Sequence, residues 1–225
     1  MKLPSEVPVM ILQNATLFPQ AMLPLFIFEP RYRRMLSDTL QSHRMFVVAM
    51  QQPLATREKP SPIAGLGVIR VAVGHRDGTS HLILQGIARV ELEKATRYRP
   101  YRVHRIRALE TPPCNTVAAD ALLAKIRELL EERIRLGLPF PPLSGPPEAP
   151  AAASPPEAFS SNDILSYLDS ISDPERVADL VSYAVLPDAS ERQLILEALD
   201  VETRLRRLIQ FMLAEIRRER KGRNG

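Results

Sequence analysis

Residues 8–36 read PVMILQNATLFPQAMLPLFIFEPRYRRML. Two short apolar runs, VPVMIL and LPLFIF, are separated by Asn14 and Pro19, and Pro24 interrupts the second. Proline at this density forbids a helix interior, because the ring removes a donor and clashes with the preceding turn. The stretch is expected to form two strands joined by a loop, with the prolines at strand ends or edges. At Pro30 the period changes. In PRYRRMLSDTLQS, residues 30–42, Tyr32, Met35, Leu36 and Leu40 recur at helical spacing. Pro30 suits the first helical position, where its missing N–H would be unpaired anyway.

Working outward, Met45–Met50 reads as a short buried strand and QQPLATREKPSP as a polar loop. Residues 63–75 and 81–93 flank RDGTS, and Asp77-Gly78 is a strong hairpin signal because glycine accepts positive φ. Gly65, Gly67 and Gly86 fall inside these strands, where glycine marks a bulge or tight bend. A last strand is expected over residues 101–109.

After Thr111-Pro112-Pro113 the pattern turns helical. Residues 116–136 form one helix with Val117, Leu122, Leu123, Ile126, Leu129, Leu130 and Ile134 on its apolar face, stopped by Gly137 and Pro139. Residues 138–160 hold eight prolines among Ala, Ser and Gly and read as a flexible tether. Ser161 or Asn162 caps a helix reaching about Ile171. Asp173 caps the next, with Pro174 at its first position, and Ser190 caps a third. A long helix from about Val201 to Arg220 carries Val201, Leu205, Leu208, Ile209, Met212, Leu213 and Ile216 on one face, with arginines opposite. The expected organisation is α+β: a strand-rich domain over residues 1–113 and a helical bundle over 114–225.

The two halves differ in charge. Residues 1–113 carry 16 Lys+Arg against 8 Asp+Glu, and residues 114–225 carry 14 against 18. A basic unit attracts nucleic acid or acidic polypeptide. One cysteine, Cys114, excludes an internal disulfide and fits a reducing cytoplasm. No apolar run reaches the roughly 18 residues that span a bilayer, and the N-terminus has no secretory h-region, so no membrane partner is expected.

Reactive groups that converge in sequence are missing. There is no G-x-x-x-x-G-K-[ST] to cradle ATP phosphates and no G-x-S-x-G elbow. His43, His75, His81 and His104 form no H-E-x-x-H pattern, and a zinc site built on one cysteine would need an unusual ligand set. His75 and His81 flank the hairpin turn and either face one another or are two solvated side chains. Cys114 has no histidine partner in sequence and reads as an inert junction thiol. No catalytic residue, metal or cofactor is expected.

Several motifs in order carry a family resemblance: Leu17-Phe18-Pro19, Leu23-Pro24-Leu25, Ile27-Phe28-Glu29-Pro30-Arg31-Tyr32 and Met35-Leu36. Next come Gly65-Leu66-Gly67-Val68-Ile69, Asp77-Gly78 and Leu84-Gln85-Gly86-Ile87-Ala88-Arg89-Val90. Beyond the tether stand Asp173-Pro174, Val177-Ala178-Asp179-Leu180-Val181, Arg192-Gln193-Leu194-Ile195-Leu196-Glu197 and Val201-Glu202-Thr203-Arg204-Leu205. Together they resemble the N-terminal, substrate-binding domain of Lon protease. The resemblance implies a small PUA-like β-barrel followed by a helical bundle. In full-length Lon this unit precedes an ATPase and a Ser-Lys peptidase, neither of which has a counterpart in these residues. A stand-alone, non-enzymatic recognition module for unfolded or partner polypeptides is therefore expected, binding exposed apolar segments. Self-association is a further possibility.

Two sets of site residues follow. Leu17, Phe18, Phe26 and Phe28 offer apolar surface near proline-bounded loops, with Glu29, Arg31 and Tyr32 as a polar rim for a bound peptide. The other reading of the rim is structural: Glu29 caps the helix or pairs with Arg31 or Arg70, while Tyr32 packs inside. For RNA, the alternative partner, residues 97–107 supply Arg99, Tyr101, Arg102, Arg105 and Arg107 for phosphate contact and base stacking. Strand alternation would divide these arginines between two faces.

Overall fold

Both apolar runs of the opening stretch are strands in the computed structural model, which describes residues 3–53, 55, 57–140, 165–168 and 170–223. Among the described residues, one compact unit ends at Glu110 and a second begins at Thr111. The first unit contains β1 (Glu6–Leu12), β2 (Met22–Ile27), α1 (Pro30–Leu40), β3 (Met45–Met50), β4 (Ile63–Gly74), β5 (Ser80–Arg97) and β6 (Arg102–Ala108). The second contains α2 (Thr116–Arg135), α3 (Pro174–Val185), α4 (Ala189–Glu197) and α5 (Val201–Arg223). The fold is mixed α+β.

The six strands follow the order β2-β5-β4-β3-β1-β6, and β6 also pairs with β5, so the ladder returns on itself. β1 and β3 run parallel and every other pair is antiparallel. Pro24 sits in β2, which ends the strand order, a place where a strand proline is tolerated. Pro8 precedes Val9, where the pairing of β1 with β3 begins.

The apolar runs of β1 and β3 are continuous because both faces are buried. Met10, Phe46 and Val48 join a core containing Tyr32, Met35 and Leu36 of α1 with Leu23, Leu25, Leu82 and Leu84. Val7, Val9, Ile11, Met45, Val47 and Ala49 join the opposite core with Ala64, Leu66, Val90 and Leu92.

The strand glycines serve a close approach as well as a bulge. The segment between β1 and β2 crosses β4 and β5, burying Leu17 and Phe18 completely. A Cβ built on Gly65 would lie 1.9 Å from the Leu17 carbonyl oxygen, and one on Gly86 1.9 Å from that of Phe18. Gln20 N–H donates to the Gly86 carbonyl and Gly86 N–H to that of Ala21, both at 2.9 Å, stitching the crossing to β5. The β4–β5 register also shifts at Leu66/Gly67.

In the helical unit α5 packs against α2, α3 and α4. Three expectations are corrected here. Val117 is 75% exposed, because it lies about 200° around α2 from buried Ala119 and off the Ala119, Ile126, Leu130 stripe. Asp188, not Ser190, caps α4: its carboxylate accepts the N–H of Ser190 at 2.6 Å. Not all arginines of α5 face away from the core. Arg204 falls between Val201 and Leu208 on the buried face and is 0% exposed. It meets Asp179 of α3 and donates to Glu175 at 2.8 Å. Arg133 of α2 is likewise buried, held by both oxygens of Glu215 on α5 at 2.7 and 2.8 Å. Asp173 caps α3, accepting from Glu175 N–H at 3.0 Å. The tether and the Ser161/Asn162 cap fall largely outside the described residues.

His104 of β6 is a buried imidazole beside the Arg102 cation. Burial first, and that cation second, lower its pKa below the ordinary 6.5. The unfolded chain then takes up the proton before the folded one does, so stability is complete above about pH 6.5 and falls on acidification below it. His43, also lowered by burial, acts with the same sign. The urea midpoint is expected to be flat from pH 7.5 to 8.5 and to drop by pH 5.5. His104→Gln should shrink that drop; an undiminished drop would contradict this assignment.

Candidate functional site

The turn into α1 builds a polar cluster. Glu29, in extended conformation at the N-cap, uses its carbonyl rather than its side chain to receive Tyr32 and Arg33 N–H groups, at 3.0 and 2.9 Å. Its carboxylate accepts from Arg31 Nε at 2.8 Å. The rest of the Arg31 fork reaches Glu58 of the β3–β4 loop, Nη1 and Nη2 each at 2.8 Å. The hydrogen bond to Glu58, foremost, raises the guanidinium pKa further above its ordinary value. Arg102 of β6 donates to the Glu58 carbonyl at 2.7 Å. Tyr32 is buried, and its hydroxyl accepts from Ile11 N–H at 3.1 Å and donates to Ile11 C=O at 3.2 Å. Burial raises the phenol's pKa. This motif therefore ties α1, β1, β6 and the 51–62 loop together. A cleft of about 130 Å³ lies over it, lined by Arg31, Tyr32, Glu58, Tyr98, Arg99 and Arg102.

That cleft brings part of the polar rim and part of the basic strand into one place. Two of its cations, Arg31 and Arg102, share Glu58 as an acid partner. Farther along β6, Arg107 pairs with Glu91 and lies 3.9 Å from Glu93. Tyr101 is 4% exposed, donates to Asp38 at 2.8 Å and has Arg97 over its ring at 4.4 Å. The Tyr101 hydrogen bond holds the Asp38 carboxyl below its ordinary pKa, while burial first, then Asp38, raises the Tyr101 phenol. A base cannot stack on Tyr101. Arg99 and Arg105 are exposed.

The apolar candidates separate. Leu17 and Phe18 are wholly interior and present no surface to a peptide, a correction to their place in the candidate set. Phe26 is half-buried and Phe28 is 46% exposed, their rings stacked 5.9 Å apart. They belong to a face that the candidate set missed. Across β2, β5 and β4, Pro24 pairs with Ile83 and Ile83 with Val71; one rung further, Phe26 pairs with His81 and His81 with Val73. Paired residues share a face. Met22, Phe28, Val71, Val73 and Ile83 are each between 37% and 53% exposed. Two rungs, three strands wide and apolar except for His81, thus stand in solvent at the β2 edge. The signal was present in LPLFIF and VIRVAV: an apolar run on a strand with one buried face must put apolar side chains on the other.

Among the described residues no group of three or more His, Cys, Asp or Glu is placed to hold a metal ion. No helix among them is long and apolar enough to cross a membrane.

A model of the ATP-dependent protease La (LON) substrate-binding domain matches residues 6–214. The chain belongs to the LON substrate-binding domain family. Lon protease 2 of Bdellovibrio bacteriovorus is 28% identical over 223 residues, covering 96% of this chain and 25% of that protein. The chain thus spans about a quarter of the length of this Lon protease, and the matched model describes the substrate-binding domain, not the ATPase or peptidase. The N-terminal domain of a Mycobacterium avium complex Lon protease superposes with a TM-score of 0.69 at 17% identity, covering 92% of this chain and 97% of that one. A Lon N-terminal domain protein from Xanthomonas campestris gives 0.60 at 17%, covering 93% and 99%. These likenesses show the fold. Asp179 and Arg204 join the helix segments Val177–Val181 and Val201–Leu205.

Proposed function

We propose that this Lon-family domain recognises polypeptides by seating an extended apolar segment on the outer face of β2, β5 and β4, without chemical turnover. The observation that carries the reading is the pair of solvent-facing rungs, Pro24-Ile83-Val71 and Phe26-His81-Val73, flanked by Met22 and Phe28. A contiguous exposed apolar patch on a folded domain marks an interaction surface, and an extended chain matches its strand-like spacing. The family's description as a substrate-binding domain supports the same reading. The returning ladder is read as a PUA-like barrel that holds this face rigid, in a protein of the cytoplasm. Glu29, Arg31 and Tyr32 act as a clasp behind the face.

A fluorescein-labelled, unstructured peptide of alternating leucine and serine tests it. Binding that survives from 50 to 300 mM salt is expected, because apolar contact is not screened. Single-stranded RNA of mixed sequence is the contrasting probe. Tight RNA binding that collapses over this range, with no peptide binding, would replace this reading by the basic-strand one. A salt-resistant dimer that excludes the peptide would make a second copy the occupant.

A further inference from the structure

The tip of the β4–β5 hairpin carries two histidines whose ring nitrogens face one another. His75 Nε2 and His81 Nδ1 are 2.7 Å apart, and the rings meet edge-on with centroids at 4.9 Å. Each is solvent-accessible. The backbone fixes this meeting. His75 N–H donates to the Thr79 carbonyl at 2.9 Å and Gly78 N–H to that of His75 at 3.0 Å. Gly78 has a φ of 82°, which closes the turn tightly enough to bring the flanking strands into register. Asp77 locks the same turn, its Oδ1 accepting from Thr79 N–H at 2.9 Å and Oγ1 at 2.7 Å. The His81 ring is braced from the other side by Phe26, at 4.7 Å between centroids.

Neutral imidazole nitrogens are the commonest protein ligands for borderline divalent metals. Two such nitrogens bound 2.0–2.1 Å from a tetrahedral ion stand about 3.3 Å apart. The observed pair need open by only about 0.6 Å, which a small rotation of the exposed His75 ring against the braced His81 ring provides. Each ring binds in the tautomer that leaves the facing nitrogen bare, and the metal takes the place of the hydrogen bond between the two rings. The charged neighbours are mixed: Asp77 lies two residues from His75 in the same turn, Arg76 adjoins it in sequence, and Arg33 of α1 lies against Gly78.

We propose that His75 and His81 form a bidentate site for a zinc-like divalent transition-metal ion, with water completing the coordination shell. The site shares His81 with the second rung of the proposed peptide face, so an occupied one puts a divalent charge beside Phe26 and Val73. Calorimetric titration of the tag-free chain with zinc chloride alone, and separately with nickel chloride alone, tests it. One ion per chain is expected. His75→Gln or His81→Gln should each weaken binding by about tenfold or more, since either change reduces a chelate to a single ligand. His43→Gln should leave it unchanged. His75 is exposed while His43 and His81 are half-buried, so the melting temperature of each variant is compared with the parent's to separate loss of a ligand from loss of fold. Paramagnetic nickel should broaden the imidazole proton resonances of His75 and His81 before those of His43 and His104. Uptake by the parent no tighter than by the His75→Gln/His81→Gln double variant, or broadening confined to other histidines, would overturn the proposal.

Discussion

Replacing Asp179 by alanine is expected to lower the stability of the helical unit by about 3–5 kcal/mol, because it leaves the Arg204 guanidinium buried against an incomplete set of acids. Arg204 is 0% exposed, and the Asp179 side chain is 2% exposed. Glu175, 2.8 Å from Arg204 Nη1, remains as a partner, but its side chain is 33% exposed and also accepts from Thr111 Oγ1. Arg204→Ala should cost a similar amount through the stranded Asp179. The double variant Asp179→Leu/Arg204→Met, which replaces both charges by apolar side chains, should recover most of the loss. Urea denaturation of the full chain, followed by far-ultraviolet circular dichroism, reads all three. Single variants within about 1 kcal/mol of the parent would mean the pair is not desolvated as described.

Adding one methyl group at Gly65 or Gly86 should be as damaging. Each new Cβ would meet a backbone carbonyl of the Leu17-Phe18 crossing at 1.9 Å, and a main-chain atom cannot rotate aside as a side chain would. Overpacking ordinarily costs about 1–3 kcal/mol, and this case stands at or above the top of that range. The crossing must lift, taking two wholly buried side chains with it. Gly65→Ala and Gly86→Ala are therefore expected to give poorly folded protein with exposed apolar surface, measured by dye binding and proteolysis. Gly74→Ala is the control: its nearest neighbour to a new Cβ is Ser80 Oγ at 3.9 Å, so it should fold. Equal behaviour of all three variants would contradict the crossing.

The elements were legible where local physics decides them. Pro30 at a helix start, Asp77-Gly78 at a hairpin turn and Asp173-Pro174 ahead of α3 each act within a few residues, and each stands where its chemistry requires. What was not legible depends on distant partners. Gly65 and Gly86 announce an unusual strand but not that Leu17 and Phe18 cross it. Arg204 looks like one more surface arginine until α3 brings Asp179 beneath it. Glu58 lies in a loop that reads as featureless and is the acid that receives both Arg31 and Arg102. The candidate site was half visible. Phe26 and Phe28 were found from the run they belong to, whereas Val71, Val73 and Ile83 are contributed by strands whose pairing register alone aligns them.

The outer face of β2, β5 and β4 is tested most directly by the affinity of the labelled leucine–serine peptide for the parent chain and for Ile83→Asp and Val73→Asp. Both positions face solvent, so the variants should fold as the parent does. Burying one such aliphatic side chain against a ligand contributes roughly 1.5–3 kcal/mol, so each aspartate should weaken binding by about 10- to 100-fold. Arg105→Asp, on β6, should leave the affinity within about twofold. Undiminished binding by both sheet-face variants, or a loss confined to Arg105→Asp, would contradict the assignment.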